Sequence, residues 1–157
     1  TGAHVENSQR LVATIDLLEE SQLLEKLTTI PPRAASLEEI SLVHSDYHIT
    51  RVQSLSTRGG GWLDGDTVAS PDSYEVALYA TGGVLREVDA VMAEEVNHAF
   101  ALIRPPGHHA TPQQAMGSCL FNNIAIAAKY ALKNYNLERV LIADFDVHHG
   151  NGNEEIF

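Results

Sequence analysis

An apolar run that begins at Val140 breaks into Asp144, Asp146, His148 and His149, then passes straight into Gly150, Asn151, Gly152 and Asn153. On an extended strand, residues two apart share a face. One carboxylate oxygen of Asp146 and one imidazole nitrogen of His148 can therefore converge on a single ion. A mixed oxygen and nitrogen set suits zinc or another first-row divalent metal. Asp144 lies two residues further back, close enough to orient a neighbour. A lone Asp-x-His is more often a solvated strand end. Four such residues ahead of Gly-Asn-Gly point instead to a metal site.

Two other segments carry chemistry. In residues 104–110, RPPGHHA, Pro105 and Pro106 stiffen the backbone, Gly107 permits a tight turn, and His108 and His109 follow. Imidazole exchanges protons near neutral pH and needs a partner on its second nitrogen to fix tautomer and basicity. Asp144 and Asn151 are the available partners. In residues 116–123, MGSCLFNN, Gly117 allows close backbone approach to a ligand and Asn122 is a helix N-cap. Cys119 lacks a distinctive nucleophile motif and reads as packing.

These residues need rigid elements behind them. Leu11, Ile15, Leu18 and Leu24 predict one helix over 9–27, or two broken near Ser21, with Pro31-Pro32 as the stop. Ser36 caps a short helix at 37–42, and a further helix covers 46–55. Residues 56–72, with Gly59-Gly60-Gly61, Gly65 and Pro71, read as a loop of functional length. A core helix runs from 73 to about 95, with Val76, Tyr79, Ala80, Val84, Val88 and Val91 as its apolar stripe and Gly82-Gly83 as close-packing points. Residues 99–103 form a short strand, 122–135 a helix, and 140–145 a second strand. Strand, loop, helix, strand predicts a βαβ unit in an α/β fold with parallel strands. Ligands in such sheets sit beyond the carboxyl ends of the strands, where both His-bearing segments lie.

Composition narrows the function. The chain has 157 residues and a formal charge of −11, from 10 Lys and Arg against 21 Asp and Glu. That opposes direct nucleic-acid binding and is compatible with a cationic substrate. The single cysteine excludes an intrachain disulfide framework and a cysteine-rich zinc module. It fits a reducing compartment: cytoplasm, or nucleus in a eukaryote. No run reaches the length of a membrane span. The chain opens on Thr1 in what reads as mid-protein sequence.

In order and spacing, RPPGHHA, GSCLFNN and DFDVHHGNG closely resemble the zinc-dependent histone deacetylase superfamily, which includes bacterial acetylpolyamine amidohydrolases and acetoin-utilisation proteins. His4-Val5-Glu6-Asn7 and Arg10-Leu11 resemble its early motif, and His44-Ser45, Tyr47 and Val52 its following helix. The resemblance implies a three-layer α/β/α arginase/deacetylase fold. It also implies hydrolysis of an acetylated amine, acetyl-lysine in protein or an acetylpolyamine. Asp146 and His148 resemble two of three zinc ligands. His109 resembles the general base, and His108, supported by Asp144, its electrostatic or proton-donating partner. Asn151 stands where the partner of His109 belongs, as in the class II-like branch. Gly117 resembles a glycine lining the acyl-lysine channel, and Asp66 a rim aspartate that holds substrate backbone. Asp144, Asp146 and His148 also resemble part of a structural potassium site.

Three departures stand out. Val5 replaces a usual proline. Ser118 replaces the phenylalanine that commonly walls the channel. The family's third zinc ligand and its oxyanion-donating Tyr or His lie downstream of Phe157. The expectation is therefore that residues 1–157 are the N-terminal and central part of one deacetylase domain, inactive alone, with an exposed strand edge and apolar face. Two other functions compete: a non-catalytic acetyl-lysine reader or scaffold, and a binuclear hydrolase of the arginase type.

Overall fold

A computed structural model describes residues 4–157. Helix α1 (Gln9–Glu20) ends at Ser21, and a single 3-10 turn follows at Leu24–Lys26. The break predicted near Ser21 is present, with Gln22 at φ 56°. Helix α2 (Leu37–Ile40) opens on a capping box: Ser36 accepts from the Glu39 N–H, and the Glu39 carboxylate accepts from the Ser36 N–H. Helix α3 (Asp46–Thr57) is capped by Ser45, which accepts from the His48 N–H.

The stretch read as a loop over 56–72 contains a two-stranded antiparallel hairpin, β1 (Gly61–Trp62) and β2 (Val68–Ala69). Asp64 makes its turn by accepting from the N–H groups of Asp66 and Thr67. Helix α4 (Ser73–Met92) and helix α5 (Asn123–Asn134) form the main helical pair.

The stripe predicted for α4 holds in part: Ala80 is buried and Val84 and Val88 pack against the core, but Val76 and Tyr79 are exposed, and Ala77, Thr81, Gly82 and Leu85 are buried beside them. Two neighbours set this face: α5, which presents Ala125, Ala127, Ala128 and Ala131, and the backbone of residues 33–35, which lies directly on Gly82 and donates the Ala35 N–H to Leu78 O. Small faces allow two helices to approach closely, so the small residues of α4 go inward. Phe121, Ile40, Leu85, Ile126 and Val52 fill the remaining core. A polar thread crosses it: Thr81 Oγ1 donates to Asn123 Oδ1, and Asn123 Nδ2 donates to Pro105 O. The helical pair thereby holds the start of the His108-His109 loop.

The parallel sheet expected from the βαβ pattern is not formed among the described residues. Segments 99–103 and 140–145 carry no strand assignment and belong to no ladder. A strand is defined by its hydrogen-bonded neighbours, and these two form no ladder with each other. Apolar side chains of the 140–147 segment are open: Leu141 is 89%, Phe145 99% and Val147 92% exposed. Helix α6 (Asn151–Ile156) follows, an element the turn-like Gly-Asn-Gly-Asn run conceals.

Two histidines sit in the core. His44 and His48 are 3% and 0% exposed, one helical turn apart, against Phe121. Burial, reinforced by the neighbouring His48, pushes the His44 imidazole down to about 3 from its ordinary 6.5. Burial lowers His48 in the same direction. As pH falls below 6.5 the unfolded chain takes up a proton that the folded chain refuses. Folding stability is therefore complete above that value and declines toward the folded-state value, by about 1.4 kcal/mol per pH unit per histidine. The denaturant midpoint should drop measurably between pH 7 and pH 5; a flat profile would contradict buried neutral histidines.

Candidate active site

The loop 104–110 delivers His108 and His109, whose ring centroids lie 4.1 Å apart. Segment 144–148 and the first turn of α6 meet it from the other side. Gly152 donates its N–H to His108 O. A Cβ at Gly152 would run into the carbonyl oxygens of His108 and Ala110, so no larger residue fits this junction.

Each ring has its own partner. His108 Nδ1 lies 2.8 Å from Asp144 Oδ2, and His109 Nδ1 lies 2.7 Å from Asn151 Oδ1. Asn151 Nδ2 points at His109 O and Met116 Sδ, both at 3.4 Å, which leaves Oδ1 as the acceptor. His109 therefore carries its proton on Nδ1, with Nε2 free to accept one. His108 is backed by a full negative charge, His109 by an amide dipole.

Asp144 has three donors. Oδ2 accepts from His108 and from Asn153 Nδ2 at 3.2 Å, and Oδ1 accepts from the Asp146 N–H at 3.1 Å. The hydrogen bond from His108 holds its carboxyl below the usual carboxylate range. Three protein donors thus hold the Asp144 carboxylate in place against the His108 ring.

Asp146 and His148 differ from it. His148 Nδ1 and Asp146 Oδ2 face each other at 2.9 Å, and the same oxygen accepts the His148 N–H at 2.8 Å. These bonds hold the Asp146 carboxyl down as well. Ligand atoms around a tetrahedral zinc ion stand about 3.3 Å apart, so the pair fits two positions of one ion. His108 Nε2 is 3.9 Å from the same Asp146 oxygen, and the His109 and His148 rings are 5.8 Å apart. The His108–His109 pair and the Asp146–His148 pair thus share one small space. Among the described residues, no group of three or more His, Cys, Asp or Glu could hold a metal ion. His149, grouped by sequence with the metal motif, turns away: its Nε2 pairs with Glu154 at 2.7 Å on the exposed surface.

Gly117 has φ 56°, and a Cβ there would overlap the His109 ring. Only glycine lets this backbone lie on that imidazole. Ser118, at φ 64°, donates its N–H to Thr67 Oγ1, and its hydroxyl lies 3.5 Å from Asp66 O. Asp66 is exposed beside it, and its carbonyl oxygen is 3.1 Å from His4 Nε2. The residues read as channel wall and rim are therefore neighbours. Cys119 is fully buried and its thiol is pushed up to about 12 by burial, which makes it inert packing.

Two contributors were not legible. Asn153 completes the shell of Asp144, and nothing in its spacing announces that. Glu6 bridges Arg104 Nε at 2.7 Å and Arg10 at 3.0 Å, while Arg10 also donates to Ile103 O. The early motif thereby ties down the entrance to the His108-His109 loop.

The histone deacetylase domain model matches residues 4–157. This chain belongs to the histone deacetylase domain family. It is 43% identical over 98% of its length to a probable deacetylase of Methanothermobacter thermautotrophicus, covering 45% of that protein. It is 41% identical over 98% of its length to the polyamine deacetylase HDAC10 of Rattus norvegicus, covering 27% of it. The crystal structure of the HDA15 HD domain superposes with a TM-score of 0.94 at 37% identity, over 98% of this chain and 45% of that one. The chain therefore spans less than half the length of these relatives, and it carries the deacetylase-domain fold over the part it covers. Among the described residues no helix is long and apolar enough to cross a membrane.

Proposed function

We propose that this deacetylase-family chain contributes to zinc-dependent hydrolysis of an acetylated amine, acetyl-lysine in protein or an acetylated polyamine. The observation that carries the reading is the division of labour in one site: Asp146 and His148 facing each other at 2.9 Å, beside two imidazoles with different partners. Asp146 and His148 would hold the ion. When bound, zinc supplies Lewis acidity toward a carbonyl oxygen and lowers the pKa of a coordinated water. His109, with Nε2 unprotonated, takes the proton of the attacking water. His108, held by Asp144, stands next to the developing charge and returns a proton to the leaving amine. Gly117 and Ser118 line the path of the acyl chain, and Asp66 holds the substrate at the rim. The backbone around Asp144, Asp146 and His148 is also the proposed place of a structural potassium ion.

Catalytic zinc keeps three protein ligands and one open position. We expect the third ligand and an oxyanion donor from residues other than 4–157, so that residues 1–157 alone turn over no acetyl-lysine peptide. The decisive assay is the full-length protein, loaded with zinc or treated with chelator, on an acetyl-lysine peptide and an N-acetylated polyamine. Chelator-sensitive release of acetate is expected. Binding without release would favour a non-catalytic reader, and two tightly held divalent ions per chain an arginase-type hydrolase.

Ser118 offers a hydroxymethyl where a larger ring would narrow the path. Ser118→Phe should raise the acetyl-over-longer-acyl ratio of kcat/KM by about tenfold. An unchanged ratio would remove Ser118 from the channel wall.

A further inference from the structure

We propose that His44 and His48 are positioning residues that fix the wall of the acyl channel through the backbone of residues 110–122. The inference rests on the deacetylase reading above.

The contacts are specific. The Asn122 N–H donates to His44 Nε2 at 2.9 Å, and His44 Nδ1 is 2.9 Å from Thr111 O. A backbone N–H can only donate, so Nε2 carries a lone pair and Nδ1 carries the proton. One neutral ring thereby bridges a carbonyl near the start of the loop and an N–H at its end. His48 Nε2 is 2.8 Å from Leu120 O, which makes it the protonated nitrogen, and His48 Nδ1 is buried without a partner. The Ser45 N–H adds a fourth tie, to Pro112 O.

The start of α3 thus holds the loop at 111, 112, 120 and 122. Between these ties lie Gly117, against the His109 ring, and Ser118, beside Asp66. Ala115, Cys119, Leu120 and Phe121 anchor the segment by burial, but the polar ties at Met116–Ser118 themselves are few: Asn151 Nδ2 to Met116 Sδ, Ser118 N–H to Thr67 Oγ1 and Ser118 Oγ to Asp66 O. Neither imidazole touches the site. Their chemistry is used on backbone groups that set where Gly117 and Ser118 stand, while His109 keeps its own anchor, Asn151.

The test uses the full-length protein with three variants. His44→Phe and His48→Phe keep an aromatic ring in the core and remove the hydrogen bonds. His44→Asn retains a donor toward Thr111. In the two Phe variants, KM for an acetyl-lysine peptide should rise about tenfold, with kcat changing less than about threefold and zinc content unchanged. His44→Asn should recover part of the loss. Amide exchange in residues 111–121 should accelerate about tenfold or more, beyond any change in α4 and α5. Reduced stability with unchanged KM and uniform exchange would overturn the inference and leave these histidines as core packing. If the parent protein releases no acetate, the deacetylase reading fails, while selective or uniform exchange still decides the clamp. Should His44→Phe not fold, His44→Asn and His48→Phe carry the same readouts.

Discussion

His109→Ala in the full-length protein should lower the deacetylation rate by about 10²–10⁴-fold while zinc content stays near that of the parent. The argument starts from the tautomer. Asn151 Nδ2 faces His109 O and Met116 Sδ, so its oxygen receives the Nδ1 proton of His109 at 2.7 Å. Nε2 is then the basic nitrogen, and the Gly117 backbone packed on the ring holds it in one orientation. Alanine removes the proposed base and leaves the Asp146–His148 hydrogen bonds in place, since His109 meets His148 only by a ring-edge contact at 5.8 Å. The separation of rate from metal content is what identifies a base rather than a ligand. Both are read on one preparation, by acetate release and by elemental analysis. A variant retaining most of its rate would transfer the role to His108. One that lost its zinc would mean that His109 supports the metal pair.

Much of this site was legible because its chemistry is local. Asp146 and His148 lie two residues apart and their side chains face each other, although through a bend at 147–148 with a local His148 N–H to Asp146 Oδ2 bond and not along the expected strand. Asp144 and Asn151 were the available partners for the histidine pair, and each sits within 2.8 Å of one ring. Caps were equally readable: Ser36 with Glu39, Ser45 and Asn122 each accept the backbone N–H groups that begin a helix. What failed were features decided by distant packing. The inward face of α4 depends on the alanines of α5 and on the backbone of residues 33–35, so the larger Val76 and Tyr79 misled. The ladder expected at 99–103 and 140–145 depends on neighbours that these segments do not provide for each other. Helix α6 starts at two Asn and a Gly, poor helix formers, and is fixed by Gly152 against the His108 carbonyl. Asn153 faces Asp144 only because that helix forms.

Asp146→Ala should abolish activity and metal binding together. Asp146 Oδ2 is where the site's donors meet. It faces His148 Nδ1 at 2.9 Å, accepts the His148 N–H, and lies 3.9 Å from His108 Nε2. Removing it leaves His148 as a single ligand on an exposed segment with no hydrogen bond to set its ring. Loss of an orienting partner alone costs ten- to a hundredfold in metal affinity, so loss of the ligand should cost at least about that much. Equilibrium dialysis against buffered zinc would read the affinity, and the same samples would be assayed for acetate release. Asp144→Ala is the informative contrast. Asp144 is held by His108, Asn153 and the Asp146 N–H. Its loss should lower the rate about ten- to a hundredfold with a smaller change in zinc affinity. Equal metal loss in both variants would mean that Asp144 coordinates the ion and that its hydrogen bonds rearrange on binding. Unchanged zinc in Asp146→Ala would move the metal site away from this strand end altogether.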